Sequence, residues 1–390
     1  MIVAWLSVVL SVQQPLQRDS ADVARLLGAL RAADSTVCEL AGRSLTNFGG
    51  LWHRDSDMPM PMPMPMPTPM PMPFAGGGIH VSPRVHVGKW GGGREQAALG
   101  AFRVALRDPS GCVRHIAARV VGQAEPAWAY DAFGALLRES DAGLRETGAL
   151  GLGEIEDARA LGPLGRALDD DDATVRARAA WALGQIEDAS AIPLLERALR
   201  DRSPDVRYTA IWALAEIEDG SAVEPLGRLA RDADARVRQR TAWALGEIES
   251  AGGVTVLAPL VRDQSVEVKK TALWALGEIE AAAGVEAAAL GLQDRDPDVR
   301  VMAAWALGEI EAADAVRLLT PVLKDEDEGV RVSAAWALGQ IESADAIPAL
   351  QAAQDDDSGA VRRAVRWALA QIDDERDVRV RVRPRVRIRN

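Results

Sequence analysis

The sequence predicts an all-α chain, a right-handed α-solenoid of about ten helix-pair repeats, and three observations predict it. Trp181, Trp212, Trp243, Trp274, Trp305, Trp336 and Trp367 each follow the last by 31 residues, inside variants of W-A-L-G-E-I-E. The same frame extends back through Leu150 in A-L-G-L-G-E-I-E and Arg119 in A-R-V-V-G-Q-A-E, with a degenerate copy in D-S-T-V-C-E-L-A-G-R-S-L. Finally, each unit holds two short helical patterns, and two such helices cannot bury their apolar faces alone, so neighbours must stack around one shared core.

One unit, residues 188–219, carries the local signals. Asp188 or Ser190 caps a first helix in which Pro193 is tolerated, because first-turn amides have no helical partner. Ile192, Leu194, Leu195, Ala198 and Leu199 give that helix its apolar face, and the polar turn at 200–202 stops it. Ser203 caps a second helix with Pro204 at its first position and Asp205 favourably placed against the helix dipole. Val206, Ala210, Ala213, Leu214 and Ile217 form its buried stripe, and Asp219-Gly220 is expected to end it.

Asp296 to Ile310 reads D-P-D-V-R-V-M-A-A-W-A-L-G-E-I. This is similar to the D-x-x-V-R-x-x-A-A-x-A-L-G-x-I unit of the HEAT-like repeats found in phycobilisome lyases. The resemblance covers 94–375 and implies a HEAT-like solenoid. That family includes adaptors, scaffolds and lyase subunits, so the resemblance implies a protein-binding role and, as an alternative, a phycobilin-lyase-like accessory enzyme.

Stacking turns each repeat position into a column. Arg114, Arg145, Arg176, Arg207, Arg238, Lys269, Arg300, Arg331 and Arg362 form a basic column at the start of the second helices, where an Arg can tie down turn carboxylates and carbonyls. The tryptophans form another, each followed four residues on by Gln185, Glu216, Glu247, Glu278, Glu309, Gln340 or Gln371. Tryptophan supplies area and cation-π attraction while glutamate supplies charge, so this pair of columns suits a basic peptide. The alternative is that the rings pack between adjacent second helices.

Chemistry beyond binding finds little support in the sequence. The histidines His53, His80, His86 and His115 belong to no H-E-x-x-H motif, nor to the paired His-Glu motifs that HEAT-like di-iron hydroxylases need. A P-loop, a dinucleotide glycine fingerprint and G-x-S-x-G are all missing, and the carboxylates recur at repeat spacing on solvated faces. The expected function is therefore a non-catalytic scaffold or adaptor for protein or peptide partners, without cofactor or metal; a self-assembling structural protein is the other alternative.

The flanking segments differ in character. Residues 1–17 are an apolar N-terminal segment or a signal, too short to span a bilayer, and extracytoplasmic and cytoplasmic locations fit the sequence equally. Residues 18–46 hold the degenerate first repeat. Residues 47–93 are a Met/Pro/Gly-rich insert expected to lack a fold, and its alternating prolines from Met58 to Pro73 favour polyproline II. Methionines two apart on that helix point in different directions, so one copper(I) ion cannot be chelated there.

The net charge is -12, yet residues 376–390 hold seven Arg and one Asp, leaving -18 on the rest. That disfavours nucleic acid and membrane partners and points the basic tail toward an acidic body. Period-two alternation in Ile79 to Val87 and in Val378 to Ile388 predicts short edge strands near 79–87 and 378–388, the latter suited to self-association. Cys38 and Cys112 occupy nearly the same slot of consecutive units, where helices about 8–10 Å apart would hold them beyond easy disulfide reach.

Overall fold

A computed structural model describes residues 20–31 and 93–382, and every regular element among them is helical. The described chain forms two compact units that divide between Ile217 and Glu218. The first holds α1 (Ser20–Arg31), α2 (Gly93–Ala105), α3 (Gly111–Ala124), α4 (Pro126–Leu136), α5 (Ala142–Ile155), α6 (Leu161–Ala167), α7 (Ala173–Gln185), α8 (Ile192–Ala198) and α9 (Pro204–Glu216). The second holds α10 (Val223–Gly227), α11 (Ala235–Glu247), α12 (Val254–Leu260), α13 (Val266–Glu278), α14 (Val285–Ala289), α15 (Pro297–Glu309), α16 (Ala315–Leu319), α17 (Glu328–Gln340), α18 (Ile347–Ala352) and α19 (Gly359–Val382).

Aspartates supply the helix starts, whereas Ser203, expected to cap α9, stands at its N-cap position without a side-chain cap bond. Asp141, Asp172, Asp234, Asp296 and Asp327 cap second helices by accepting backbone N–H groups of the first turn. Asp157, Asp188 and Asp219 instead cap a short 3-10 turn that leads into each first helix. First helices are brief, five to seven residues from α6 to α16, so the second helices form the continuous wall of each unit.

Within each unit the second helices pack side by side, and the core is aliphatic. Val175, Leu183, Leu195, Val206 and Leu214 line it in the first unit, and Val268, Leu276, Val299, Leu307, Val330 and Leu338 in the second, all nearly inaccessible. The second helices are buried well beyond one stripe: in α9 every residue from Tyr208 to Ala215 is buried. The additional face is the one that carries tryptophan.

Three expectations need correcting. Val378 to Val382 continues α19 rather than forming a strand, because extending an established helix costs far less than nucleating a new element. The remainder of that segment, like 79–87 and the Met-Pro insert, lies outside the described residues. Second, the stop of α9 is Glu218, in the left-handed region at φ 51°, while Gly220 opens the following 3-10 turn. Third, Cys112 is disulfide-bonded, and Cys38 is the chain's other cysteine.

Candidate functional site: a carboxylate edge on the second helices

The tryptophan column is first a packing device. In the first unit the Trp181 ring edge lies against Gly153 and the Trp212 ring edge against Gly184. In the second, Trp274, Trp305, Trp336 and Trp367 lie against Gly246, Gly277, Gly308 and Gly339. A Cβ added at any of these glycines would fall 2.7–3.1 Å from ring carbon Cζ3, too close for real atoms. The glycine of W-A-L-G is thus the socket for the next repeat's indole, and it fixes neighbouring second helices in parallel register. Trp181, Trp212 and Trp274 are buried, and Trp243, Trp305, Trp336 and Trp367 are half-buried.

The basic column is also tied into the fold. One guanidinium nitrogen of Arg176 donates to the carbonyls of Asp170 and Asp171, and the opposite edge forms a two-point pair with Asp201, 25 residues on, at 2.6 and 2.9 Å. The same pattern joins Arg145 to Asp170, Arg238 to Asp263, Arg300 to Asp325 and Arg331 to Asp356, and Lys269 reaches Asp294 at 2.6 Å. Each Asp also accepts the amide two residues later, such as Ser203 N–H on Asp201. Arg114 bonds Thr147 and two carbonyls, while Arg207 and Arg362 hold the carbonyls of their own turns. A shallow groove of about 720 Å³ opens beside Arg238 and Asp263, but its charges are this ladder's own pair.

At the opposite ends of the second helices the arrangement is different. Glu216, Glu278 and Glu309 are half-buried and Glu247 is exposed, all in the last turn of their helices. Two residues beyond each stands a glutamate with positive φ: Glu156, Glu187 and, in the second unit, Glu218, Glu249, Glu280, Glu311 and Glu342, at φ 48–54°. Left-handed backbone costs an ordinary side chain roughly 1 kcal/mol, and glycine is the residue that avoids it. All of these glutamates are exposed.

The second unit therefore carries two parallel rows of carboxylates along one edge. Their repulsion is visible in their ionisation. Burial and the negative charges of Glu278, Glu218 and Glu249 raise the Glu247 carboxyl above the ordinary range, with Arg240 opposing. Glu278 is raised by burial and by Glu249 and Glu280, and Glu309 by burial and by Glu278, Glu280 and Glu311. The Trp274 indole N–H faces Glu278 and eases its ionisation.

The first unit holds the contrasting case. Glu146 receives Arg178 at 2.9 Å and lies 3.2 Å from His115 Nε2. Burial opposes its charge, but His115 and Arg178 more than offset this and hold the carboxyl down to about 2. Arg178 in turn stacks over Trp181 at 5.5 Å. His115 and Glu146 are one repeat apart, a spacing that could have linked them from sequence alone. The glutamate that ends W-A-L-G-E-I-E recurs in every tryptophan repeat but the last, where Asp373 stands, yet a glutamate carries no local mark of left-handed backbone.

Among the described residues no group of His, Cys, Asp and Glu is placed to hold a metal ion, and no helix is long and apolar enough to cross a membrane. The stacked helix pairs, interlocked through repeated sockets and charge pairs, define the α-solenoid class of repeat proteins. The chain belongs to the HEAT-repeat family, whose model matches residues 99–175, 163–236, 223–290 and 285–370.

Among solved structures, importin beta is similar at 14% identity and a TM-score of 0.65, over 95% of this chain and 53% of that one. The complex of CpcE and CpcF of phycocyanin lyase from Nostoc sp. PCC7120 is 21% identical with a TM-score of 0.36, over 63% of this chain and 94% of that one. Human deoxyhypusine hydroxylase is 27% identical with a TM-score of 0.30, over 63% and 96%. The likeness to importin beta shows the fold alone. No curated protein matches the chain.

Proposed function

We propose that this HEAT-repeat chain is a non-catalytic scaffold or adaptor that binds a basic segment of a protein partner along the carboxylate edge of its second helices. The observation that supports this is the group Glu247, Glu278 and Glu309, whose carboxyls are held above their ordinary range by burial and by one another's charge. Carboxylates in that condition gain most when a cation arrives, because the same contact that adds attraction removes repulsion. An arginine fork suits such an edge especially well, since it can bridge two carboxylates. The HEAT solenoid is a fold suited to scaffolding, with one long face repeated along the stack.

The test is a titration of a Lys/Arg-rich synthetic peptide into the full chain. Replacing Glu247, Glu278 and Glu309 together by Gln should weaken binding at least ~10-fold, and raised salt should weaken binding to the unsubstituted chain. Equal affinity for the two proteins would refute the assignment. Charge removal is the cleaner substitution here, because Trp274→Ala would also empty a buried socket.

A further inference from the structure

An adaptor holds two partners, and the second unit has another face on its first helices. The groove of about 720 Å³ beside Arg238 and Asp263 runs between α12 and α10, the latter with its short 3-10 continuation Arg228–Arg231. Where it meets the ladder its carboxylates are already engaged. Asp263 receives Arg238 and the Ser265 amide, and Asp232 receives the Asp234 amide.

The rim is different. Arg228 bonds Glu224 at 2.9 Å, whereas the guanidinium groups of Arg231 and Arg262 have no hydrogen bond or ion pair among the described residues. Both are exposed and both line the groove. Ala230, Val256, Pro259 and Leu260 give it an apolar lining. Two uncompensated cations therefore flank an apolar-lined groove, on a chain whose net charge is -12. A guanidinium fork matches a carboxylate, and its planar donors are more weakly hydrated than an ammonium.

We infer that this groove binds a short, extended acidic segment of a partner protein, with carboxylates on Arg231 and Arg262 and an apolar side chain against Val256 and Pro259. The two arginines are 31 residues apart, one repeat, which stacking sets at roughly 10 Å, the distance between neighbouring helices. Side chains i and i+2 of an extended segment lie on one face about 7 Å apart, and two long flexible arginines span the difference. A nucleic-acid backbone suits the place less well. The acidic body repels a long polyanion along its whole length, while a short segment meets only the local field. The groove lies on first helices and the carboxylate edge on second helices, so the two surfaces can take partner segments of opposite charge.

Fluorescence anisotropy of a fluorescein-labelled Glu/Leu peptide with the full chain tests this. The peptide should bind, should bind less tightly as salt rises, and should lose about 10-fold in affinity when Arg231 and Arg262 are both replaced by Gln. Replacing Arg317 and Lys324 by Gln removes the same charge outside the groove and should leave the affinity within ~2-fold. Helical circular dichroism should be unchanged in both variants, since all four side chains are exposed. A peptide that does not bind, that binds the Arg231→Gln, Arg262→Gln chain as tightly, or that is weakened equally by the control substitutions overturns the inference. So does full displacement by inorganic phosphate beyond that by chloride at equal ionic strength, which marks a small-anion site. The Lys/Arg peptide of the carboxylate edge should bind the groove variant as it binds the unsubstituted chain, so failure of the groove and failure of the edge are read separately.

Discussion

Arg176 illustrates how a single side chain holds this fold. Its guanidinium joins the turn of its own repeat to Asp201 in the next, at 6% exposure, so removing it strands a buried carboxylate. Arg176→Met should destabilise the chain by about 3 kcal/mol in chemical denaturation, because loss of one partner of a buried pair costs far more than the pair is worth in water.

The same pairs set the acid response. In Asp201, Asp263, Asp294 and Asp325 burial pushes the carboxyl up, but hydrogen bonds from Arg176, Arg238, Lys269 and Arg300, with those of backbone amides, bring it below the ordinary value of about 3.9. Their contribution is complete above that ordinary value and is lost as pH falls through the lowered ones. Glu247, Glu278 and Glu309 act in the opposite sense, since their raised folded pKa values make ionisation costly and stability drops as pH rises through them. Melting temperature measured downward from neutral pH should therefore rise slightly as these glutamates protonate and then fall as the aspartates do. The triple Glu-to-Gln chain should lose only the rise.

At the level of helices and turns, the glycine sockets and left-handed stops make opposite predictions for the same kind of change. Gly308→Ala would set a methyl 2.8 Å from Trp336 Cζ3 and 2.9 Å from the Ala337 Cα. It should cost about 1–3 kcal/mol by overpacking, although alanine is the better helix former. Glu280→Gly should instead stabilise, by roughly 1 kcal/mol, since glycine adopts φ near 48° without strain. Glu280→Gln separates the contributions: it removes the charge and keeps the strain.

These two features also mark how far the sequence could be read. The 31-residue register placed the helix pairs, their caps and their apolar residues because each is a local pattern repeated many times. For the tryptophans the sequence offered packing between adjacent second helices beside peptide binding, and the structure buries Trp212 in that way, against Gly184. A one-helix projection cannot reveal a face whose partner is a glycine one repeat away. The αL glutamates were likewise hidden, because Gly220 looked like the stop and only backbone geometry assigns that role to Glu218.

At the scale of the whole chain, charge and covalent closure matter most. The disulfide at Cys112, with Cys38 as the chain's other cysteine, closes a loop of more than seventy residues that contains the Met-Pro insert. By chain entropy such a closure contributes on the order of 4 kcal/mol. Reduction should therefore lower the melting temperature and speed amide hydrogen exchange in Ser20–Arg31, while exchange in Pro297–Glu309 stays unchanged. Sequence reasoning placed the two cysteines in nearly matching slots of consecutive units, and that spacing alone does not decide their pairing. The strand expected over Val378–Ile388 failed over its first five residues for a different reason: period-two alternation competes poorly once a helix is already running into it.

The charge ladder has a direction. Arg145, Arg176, Arg238, Lys269, Arg300 and Arg331 each reach forward along the chain to an aspartate 25 residues later, as in Arg145 to Asp170 and Arg331 to Asp356. The last of the row, Arg362, grips the carbonyls of Asp356 and Asp357 and meets no carboxylate among the described residues. It thus repeats the part of the pattern that lies within its own turn. An array assembled this way can lengthen by duplication at its C-terminal boundary without inventing a new junction, as its strict periodicity would require.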